Sequence, residues 1–433
     1  SLAERETLLR IAPHLMQPTR FVIPHTPQLR PAWMMRLGLT FYDFLGGRSS
    51  LPASKTVELT TSPYGRALQS DYHTGFVYSD VQTDDARLVI LNLRDAAERG
   101  ASILPRTRLV SARRESELWR ATLQDTRNGN TYEYRARAIV NAAGPGVASL
   151  FNHLSTGPHS SQQSRRIRLV KGSHIVVSRL YAGNHAYTLQ NIDRRVIFLL
   201  PWEQKFTLIG TTDIEQSELS TEPAQSSAEE INYLCAAVNR YTKQQIQPGD
   251  VVWQFSGVRA LFDDGKDNAS AVTRDYHLQL NDAAGKAPLL SVFGGKLTTY
   301  RRLAERVMEK LQPWFTASGQ PWTAHSPLPG GDRSLTESIS QLHTSHPNLS
   351  PAWLEQLARR HGSHALALLA DVREIKDLGQ DFGGGLYEIE VAHFLAQEWA
   401  HEADDILWRR TKAGLHMTLE QRAWFANWLA ARK

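Results

Sequence analysis

Cysteine is nearly absent: Cys235 is the single one in 433 residues. One thiol excludes an intrachain disulfide framework and suits a reducing compartment. Its place in Glu229–Val238, a run with helical spacing, points to a buried structural thiol. Long apolar runs are also absent, none approaching the roughly 18 to 20 residues that cross a bilayer as a helix. No secretory leader pattern and no initiator methionine open the chain. A Gly-x-Gly-x-x-Gly loop is missing; the nearest approach, Gly144-Pro-Gly146-Val-Ala-Ser149, has a proline in the turn and no third glycine. Charge of one sign is scarce, since 49 Lys and Arg against 44 Asp and Glu leave a net +5. That excess favours anionic small molecules or an anionic membrane surface, and it falls short of a nucleic-acid signature. No metal site is assigned.

What is present reads as an ordered series of elements. The length predicts two or three domains with ample core. Leu2, Leu8, Leu9 and Ile11 predict an amphipathic helix that stops at Pro13. Residues 18–55 are rich in Pro, Arg and aromatics, and Met34 to Leu45 predicts a short helix with an apolar face. Thr83-Asp84-Asp85 supplies a cap for a helix running to Arg99 and closed by Gly100. Alternating stretches around Leu109-Val110 and Trp119–Leu123 follow, and Asn128-Gly129 predicts a hairpin turn before Tyr132–Tyr134. Beyond the Pro-Gly-rich linker Pro327–Asp332, the composition becomes helical to Lys433. There Trp399, Ala403, Ile406 and Leu407 predict one helical stripe. Asp404 and Asp405, about 100° apart on a helix, read as solvated or paired with Arg409 and Arg410 rather than as an acid/base pair.

The stretch with most chemistry is residues 287–302. An apolar run (Leu289, Leu290, Val292, Phe293) ends in Gly294-Gly295, and Lys296 with Thr298-Thr299 opens a segment of helical spacing, Leu303, Val307 and Leu311. This predicts a buried strand, a glycine turn and a threonine-capped helix. Glycines admit close approach of a flat ligand, helix-start N–H groups stabilise negative charge, and the lysine adds a cation. An ordinary strand-to-helix connection has the same pattern. Upstream, Arg168–Val177 predicts a strand with His174 alone among apolar residues, more often a core histidine than a base. Val196–Pro201 and Phe206–Ile209 predict paired strands ending at Gly210-Thr211-Thr212-Asp213, with Arg194 and Arg195 at their lip. Trp253–Arg259 predicts a strand delivering Arg259 beside Asp263-Asp264, and Thr273-Arg274-Asp275-Tyr276 opens a hairpin back to residue 287.

Gly294-Gly-Lys-Leu-Thr-Thr-Tyr-Arg301 resembles the C-terminal flavin-contacting motif of the FAD-dependent, quinone-linked glycerol-3-phosphate dehydrogenases. Lys171-Gly-Ser-His174, Gly210-Thr-Thr-Asp213, Ser256-Gly-Val-Arg259 and Thr273-Arg-Asp-Tyr276 resemble that family's pattern in the same order, as do Ala142-Ala-Gly-Pro145 and Asp404–Lys412. The family has an aromatic residue after that proline, where this chain has Gly146. The family's first βαβ unit, with its Gly-x-Gly-x-x-Gly loop, has no counterpart here.

The resemblance implies an α/β (α+β) fold. A two-dinucleotide-binding FAD domain of the D-amino-acid-oxidase/glutathione-reductase type, incomplete at its N-terminus, would comprise 1–20, 78–165 and 255–326. An antiparallel-sheet substrate cap would take 21–77 and 166–254, and an all-helical domain 327–433. It implies FAD as cofactor, touched by Gly144, Pro145, Gly294, Gly295, Lys296, Leu297, Thr298 and Thr299. The reaction implied is oxidation of sn-glycerol 3-phosphate to dihydroxyacetone phosphate. His174 would be the catalytic base, with Arg259, Arg274, Arg195 and Lys296 binding substrate, and Arg259 and Lys296 counted with the catalytic group. Electrons would pass to a membrane quinone. Residues around Leu29–Met34 would contact the membrane, giving a cytoplasmic protein peripheral to its inner face; homodimer assembly is left open. The alternatives are an inactive fragment acting as a membrane- or protein-binding module, a glycerophosphate oxidase, and an amino- or hydroxy-acid oxidase of the same fold.

Overall fold

The computed structural model describes residues 2–26, 30–45, 49–150, 154–155, 167–193, 195–220, 222–262, 275–282, 285–315 and 319–432. The chain opens with α1 (Leu2–Ile11), β1 (Met16–Pro24) and α2 (Ala32–Leu45), then β2 (Lys55–Glu58), β3 (Thr74–Thr83) and α3 (Asp85–Glu98). A meander of β4 (Thr107–Glu115), β5 (Leu118–Asp125) and β6 (Thr131–Ala136) leads to β7 (Ile139–Asn141), α4 (Val147–Leu150) and β8 (Leu154–Ser155). Next come β9 (Ile167–Ser178), β10 (Ala186–Gln190), β11 (Val196–Trp202), β12 (Phe206–Gly210) and β13 (Ile214–Gln216). They precede α5 (Ala228–Asn239), β14 (Val251–Phe262), β15 (His277–Asn281), β16 (Leu289–Phe293) and α6 (Tyr300–Leu311). The last region is helical: α7 (Leu335–Ser345), α8 (Pro351–His361), α9 (His364–Leu368), α10 (Glu388–Gln397) and α11 (Leu419–Ala430).

Local chemistry accounts for the boundaries. The Asp84 carboxylate accepts from the Arg87 N–H and starts α3, as an N-cap should. The meander turns at Gly129, whose φ of +77° only glycine adopts freely. Ser227 and Glu230 form a reciprocal capping box at the start of α5.

Three sheets result. The largest runs β13-β9-β12-β11-β10-β1-β3-β2, with β14 on the free edge of β9. It is antiparallel except for β1 beside β10. The second is β15-β16-β7, with β16 and β7 parallel. The meander and β8 make the third. In the second sheet, Leu290 and Val292 of β16 pack on Val307 and Leu311 of α6. Leu289 and Phe293, from the alternate face, pack on Ala112 and Trp119 of the meander.

The large sheet sets up the site because its two faces have different covers. Ile175, Val177, Leu199 and Ile209 point to α5, where Leu234, Cys235 and Val238 complete a core. Cys235 is thus a buried structural thiol. On the other face, Val176, Leu208 and Trp253 are covered by Trp408 and Leu415 of the helical region. Trp253 and Trp408 stack at 4.6 Å. The other half of that face bears His174 and Arg259, both partly exposed.

A buried ion pair joins the helical region to α3. The fully buried Arg87 guanidinium grips both oxygens of Glu398, 311 positions away, and donates to the Arg360 carbonyl at 3.0 Å. Burial works against both charges, yet their mutual attraction keeps the carboxyl well below its usual range. Leaving either partner alone there would strand an uncompensated charge.

Two expectations are corrected, those for Trp399 and Thr299, while the pairing expected of Asp405 with Arg410 is found. Trp399 does not share a helical stripe with Ile406 and Leu407: α10 ends at Gln397, and Trp399 turns the chain at φ +52° while the N–H groups of Glu398 and Ala400 both return to the Phe394 carbonyl. Asp405 pairs with Arg410 at 3.7 Å and with Arg106 at 3.3 Å; Asp404 and Arg409 form no ion pair among the described residues. Thr299 sits at the N-cap of α6 without capping it, because its hydroxyl donates backward to the Lys296 carbonyl at 3.1 Å and closes a tight turn over Leu297–Thr299. In addition, residues 16–20, 78–83 and 255–262 are strands of the large sheet, although the domain limits expected above place them with the flavin domain.

Candidate active site

The β9–β14 ladder carries the two most informative side chains. His174 lies opposite Phe255 and Arg259 opposite Val170. Paired positions share a face, so His174, Phe255 and Arg259 all project from the face of the sheet opposite α5. The His174 ring stacks on Phe255 at 4.9 Å, with 8° between planes. It lies against Gly210 of β12, where an added Cβ would come within 2.0 Å of the ring. Burial, with the nearby Arg259 charge, pushes the imidazole down to about 4. The histidine is therefore neutral at physiological pH, with a lone pair available to take a proton.

Arg259 is held just as specifically. Its Nη1 donates to Asp213 Oδ1 at 2.5 Å and its Nη2 to Thr211 Oγ1 at 3.1 Å. Gly172 makes the space, since a Cβ there would meet Nη2 at 2.7 Å. The side chain is 37% exposed. Among the described residues two of its five guanidinium donors are engaged, and the rest suit an oxyanion. The expected neighbours Asp263 and Asp264 lie outside the described residues, as do Arg194, Thr273, Arg274 and Leu29.

The glycine turn meets the end of the same strand. Gly294 (φ +71°) sits where a Cβ would approach Asp275 O at 3.0 Å, Phe262 N at 3.5 Å and Ala260 O at 3.6 Å. Gly295 follows at φ +106°. The N–H groups of Gly294, Gly295 and Lys296 have no hydrogen-bond partner among the described residues. Lys296, Leu297 and Thr298 line a cavity of about 320 Å³ together with Arg5, Tyr42 and Asp80. In the other predicted turn Gly144 is exposed, at φ +55° with open space where its Cβ would be, and Pro145 is half-buried. Pro145 and Gly257 of β14 border one groove. Two side-chain-poor turns thus flank the strand that carries Arg259, and the one at Gly294–Lys296 presents N–H groups with no partner among the described residues. They fit the edge of a flat, electron-accepting ring.

Arg195 is not brought to this group. It stands in the β10–β11 connection beside Asp193 and over the ring of Tyr233 on α5, at the covered face. Thr211, Asp213, Phe255 and the glycines Gly172 and Gly210 were not named from sequence as site residues. Their signal was present in the Gly-Thr-Thr-Asp and Lys-Gly-Ser-His blocks, but the pairing of β9 with β12 and β14 was needed to read it. His361, His393 and Glu398 come close enough to suggest a metal. The Arg87 guanidinium already bonds both oxygens of Glu398, so a cation has no vacant carboxylate there.

This geometry defines a flavin-linked oxidoreductase, and comparison with known proteins agrees. Residues 1–301 match the family model described as FAD dependent oxidoreductase, and residues 321–428 match the C-terminal domain of alpha-glycerophosphate oxidase. The chain is 47% identical over 431 residues to D-erythritol 1-phosphate dehydrogenase of Brucella abortus, covering 99% of this chain and 85% of that one. It is 44% identical over 434 residues to the aerobic glycerol-3-phosphate dehydrogenase of Escherichia coli, covering 99% and 84%. In fold it is similar to the glycerol-3-phosphate dehydrogenase of Bacillus halodurans complexed with FAD, with TM-score 0.71, 22% identity, and 99% and 84% of the two chains covered. The chain belongs to the FAD-dependent glycerol-3-phosphate dehydrogenase family, and its cofactor is FAD.

With His174 depressed from 6.5 to about 4, its imidazole is protonated only when the pH falls well below the ordinary histidine range. Flavin reduction by substrate is therefore expected to hold its rate from about pH 7 down to about pH 5 and to decline towards pH 4. His174→Ala should slow it by about two orders of magnitude or more. An acid limb at or above 6.5 in rapid-mixing experiments, or an unchanged rate in the variant, would assign the proton transfer elsewhere.

Proposed function

We propose that the protein oxidises sn-glycerol 3-phosphate to dihydroxyacetone phosphate and passes the electrons to a quinone while docked on the cytoplasmic face of the cell membrane. The observation that carries the substrate reading is the Arg259 fork, held by Asp213 and Thr211 on the same sheet face as a neutral histidine. A secondary alcohol with a phosphate one carbon away needs those two groups close together. His174 takes the hydroxyl proton. Arg259 binds phosphate through its remaining N–H donors, and Lys296, which has no ion-pair partner among the described residues, adds a second cation. Bound FAD supplies the hydride acceptor. The stacked Phe255 and the floor at Gly210 fix the imidazole plane, which orients its lone pair before substrate arrives. The relationship to an erythritol 1-phosphate enzyme supports a second reading, a longer polyol phosphate held by the same fork.

Membrane docking is supported by α2, which is built inside out. Its polar side chains bind the protein: Arg36 donates to Ser54 at 2.9 Å, Asp43 accepts from the same serine at 2.6 Å, and Tyr42 donates to Asp80 at 3.2 Å. Its apolar ones face outward, with Phe44 78%, Trp33 66% and Phe41 60% exposed. A soluble surface helix has the opposite arrangement, and a helix lying in a lipid interface has this one. No helix among the described residues is long and apolar enough to cross a membrane.

Arg259→Ala should raise the KM for glycerol 3-phosphate by about 100-fold, the loss of charge-assisted bonds worth roughly 3 kcal/mol, with FAD content unchanged. An unaltered KM would remove the arginine from the site. Replacing Trp33, Phe41 and Phe44 together by serine should abolish binding to vesicles of anionic phospholipid and turnover with a membrane quinone, while activity with a water-soluble dye persists. Unchanged vesicle binding would sink the docking reading, and peroxide formation in air without any need for vesicles would make oxygen the acceptor.

A further inference from the structure

One buried carboxylate sits behind the site and is not explained by burial or by helix capping alone. Glu230 is 2% exposed, at the start of α5 on the covered face of the large sheet. Its Oε1 accepts from Ser173 Oγ at 2.7 Å and Thr212 Oγ1 at 2.8 Å. Its Oε2 accepts from the Ser227 N–H at 2.8 Å and pairs with Lys171 Nζ at 2.8 Å. Ser173 extends the knot to Ser256 on β14 at 2.7 Å, and its N–H donates to Thr212 Oγ1 at 2.9 Å. Capping uses only the Ser227 contact; the remaining bonds reach across three chain segments.

Each of those segments carries a site residue immediately next in sequence. Ser173 precedes His174. Thr212 stands between Thr211 and Asp213, the two residues that hold Arg259. Ser256 follows Phe255, on which His174 stacks. In a strand, neighbouring residues point to opposite faces, so fixing Ser173 and Ser256 behind the sheet fixes His174 and Phe255 in front of it. Burial opposes the carboxylate, but Lys171 and the donors from Ser227, Ser173 and Thr212 outweigh it and bring the group down to about 2. It stays ionised through the working pH range, and hydrogen bonds to an ionised acceptor are the strong ones.

We propose that Glu230 is a positioning residue: through Thr212 and Ser173 it sets the placement of the Arg259 fork and of the His174 ring, and so the affinity for the phosphate group of the substrate. The inference rests on the reading of Arg259 as the phosphate-binding residue. It makes the pair Thr212→Val and Thr212→Ser decisive, because valine keeps the shape and removes the hydroxyl whereas serine keeps the hydroxyl.

The test uses the full FAD-loaded chain, with dihydroxyacetone phosphate binding measured by titration calorimetry and glycerol 3-phosphate turnover by steady-state kinetics. Thr212→Val should weaken binding and raise KM by about tenfold while kcat changes by no more than about threefold. Thr212→Ser should stay within about twofold of the wild type. Glu230→Gln should follow the valine variant or exceed it; if it does not accumulate as folded protein, the threonine pair decides alone. A Thr212→Val variant with wild-type Kd and KM, whatever its melting temperature, would show that the knot only stabilises the fold and would overturn the proposal. Arg259→Ala in the same calorimeter separates the two levels. If it leaves binding intact, the phosphate reading fails; if it abolishes binding while Thr212→Val does not weaken it, only the positioning inference fails.

Discussion

The pairing of β9 with β14 is the constraint on which the rest depends. From Ile167 opposite Phe262 to Val177 opposite Val251, the two strands run antiparallel with one irregularity near Val251. That register puts His174 beside Phe255 and Arg259 one face-repeat beyond Gly257. A one-residue slip of β9 against β14 would turn the histidine into the α5 core and leave the arginine on the other face. Register is protected because the alternate residues of β9, Ile175 and Val177, are committed to that core. The hydrophobic pattern that folds the sheet thus also aims the polar groups.

Two glycines make that aim usable. Gly210 and Gly172 leave room above neighbouring strands for an imidazole and a guanidinium, groups that a Cβ would displace. The glycine turn after β16 works differently: it bares N–H groups and permits close approach at the end of β14. Farther out, the Arg87–Glu398 pair and the Trp253–Trp408 stack place the helical region over the opposite half of the same face. That region covers one half of the face, and His174 and Arg259 lie on the other.

Much of this was legible in the sequence, for physical reasons that can be named. The hairpin at Asn128-Gly129, the cap at Asp84 and the helix around Cys235 depend on contacts within a few residues. The blocks around Gly210 and Lys296 were visible because glycine and polar residues follow an apolar strand there, and those around His174 and Arg259 because polar residues interrupt one. What stayed hidden depends on contacts across the chain. Asp213 emerged as a partner of Arg259 only once β9 was seen to lie between β13 and β14. The turn at Trp399 follows from Glu398 being drawn inward by an arginine 311 positions away. Periodicity gave the apolar side of α2 and not what it faces; an outward, membrane-facing direction was implied only by the family resemblance. Arg195 had the right residue type, but its strand connection delivers it to the covered side.

The central claim is that this face combines a phosphate-binding arginine with a neutral base beside bound FAD. It is tested most directly by the visible absorption of the FAD-loaded protein, mixed anaerobically with glycerol 3-phosphate and, separately, with glycerol at equal concentration. The account predicts that the flavin band bleaches with the phosphate ester and persists with glycerol. A band that persists with both, or bleaches equally with both, would contradict it.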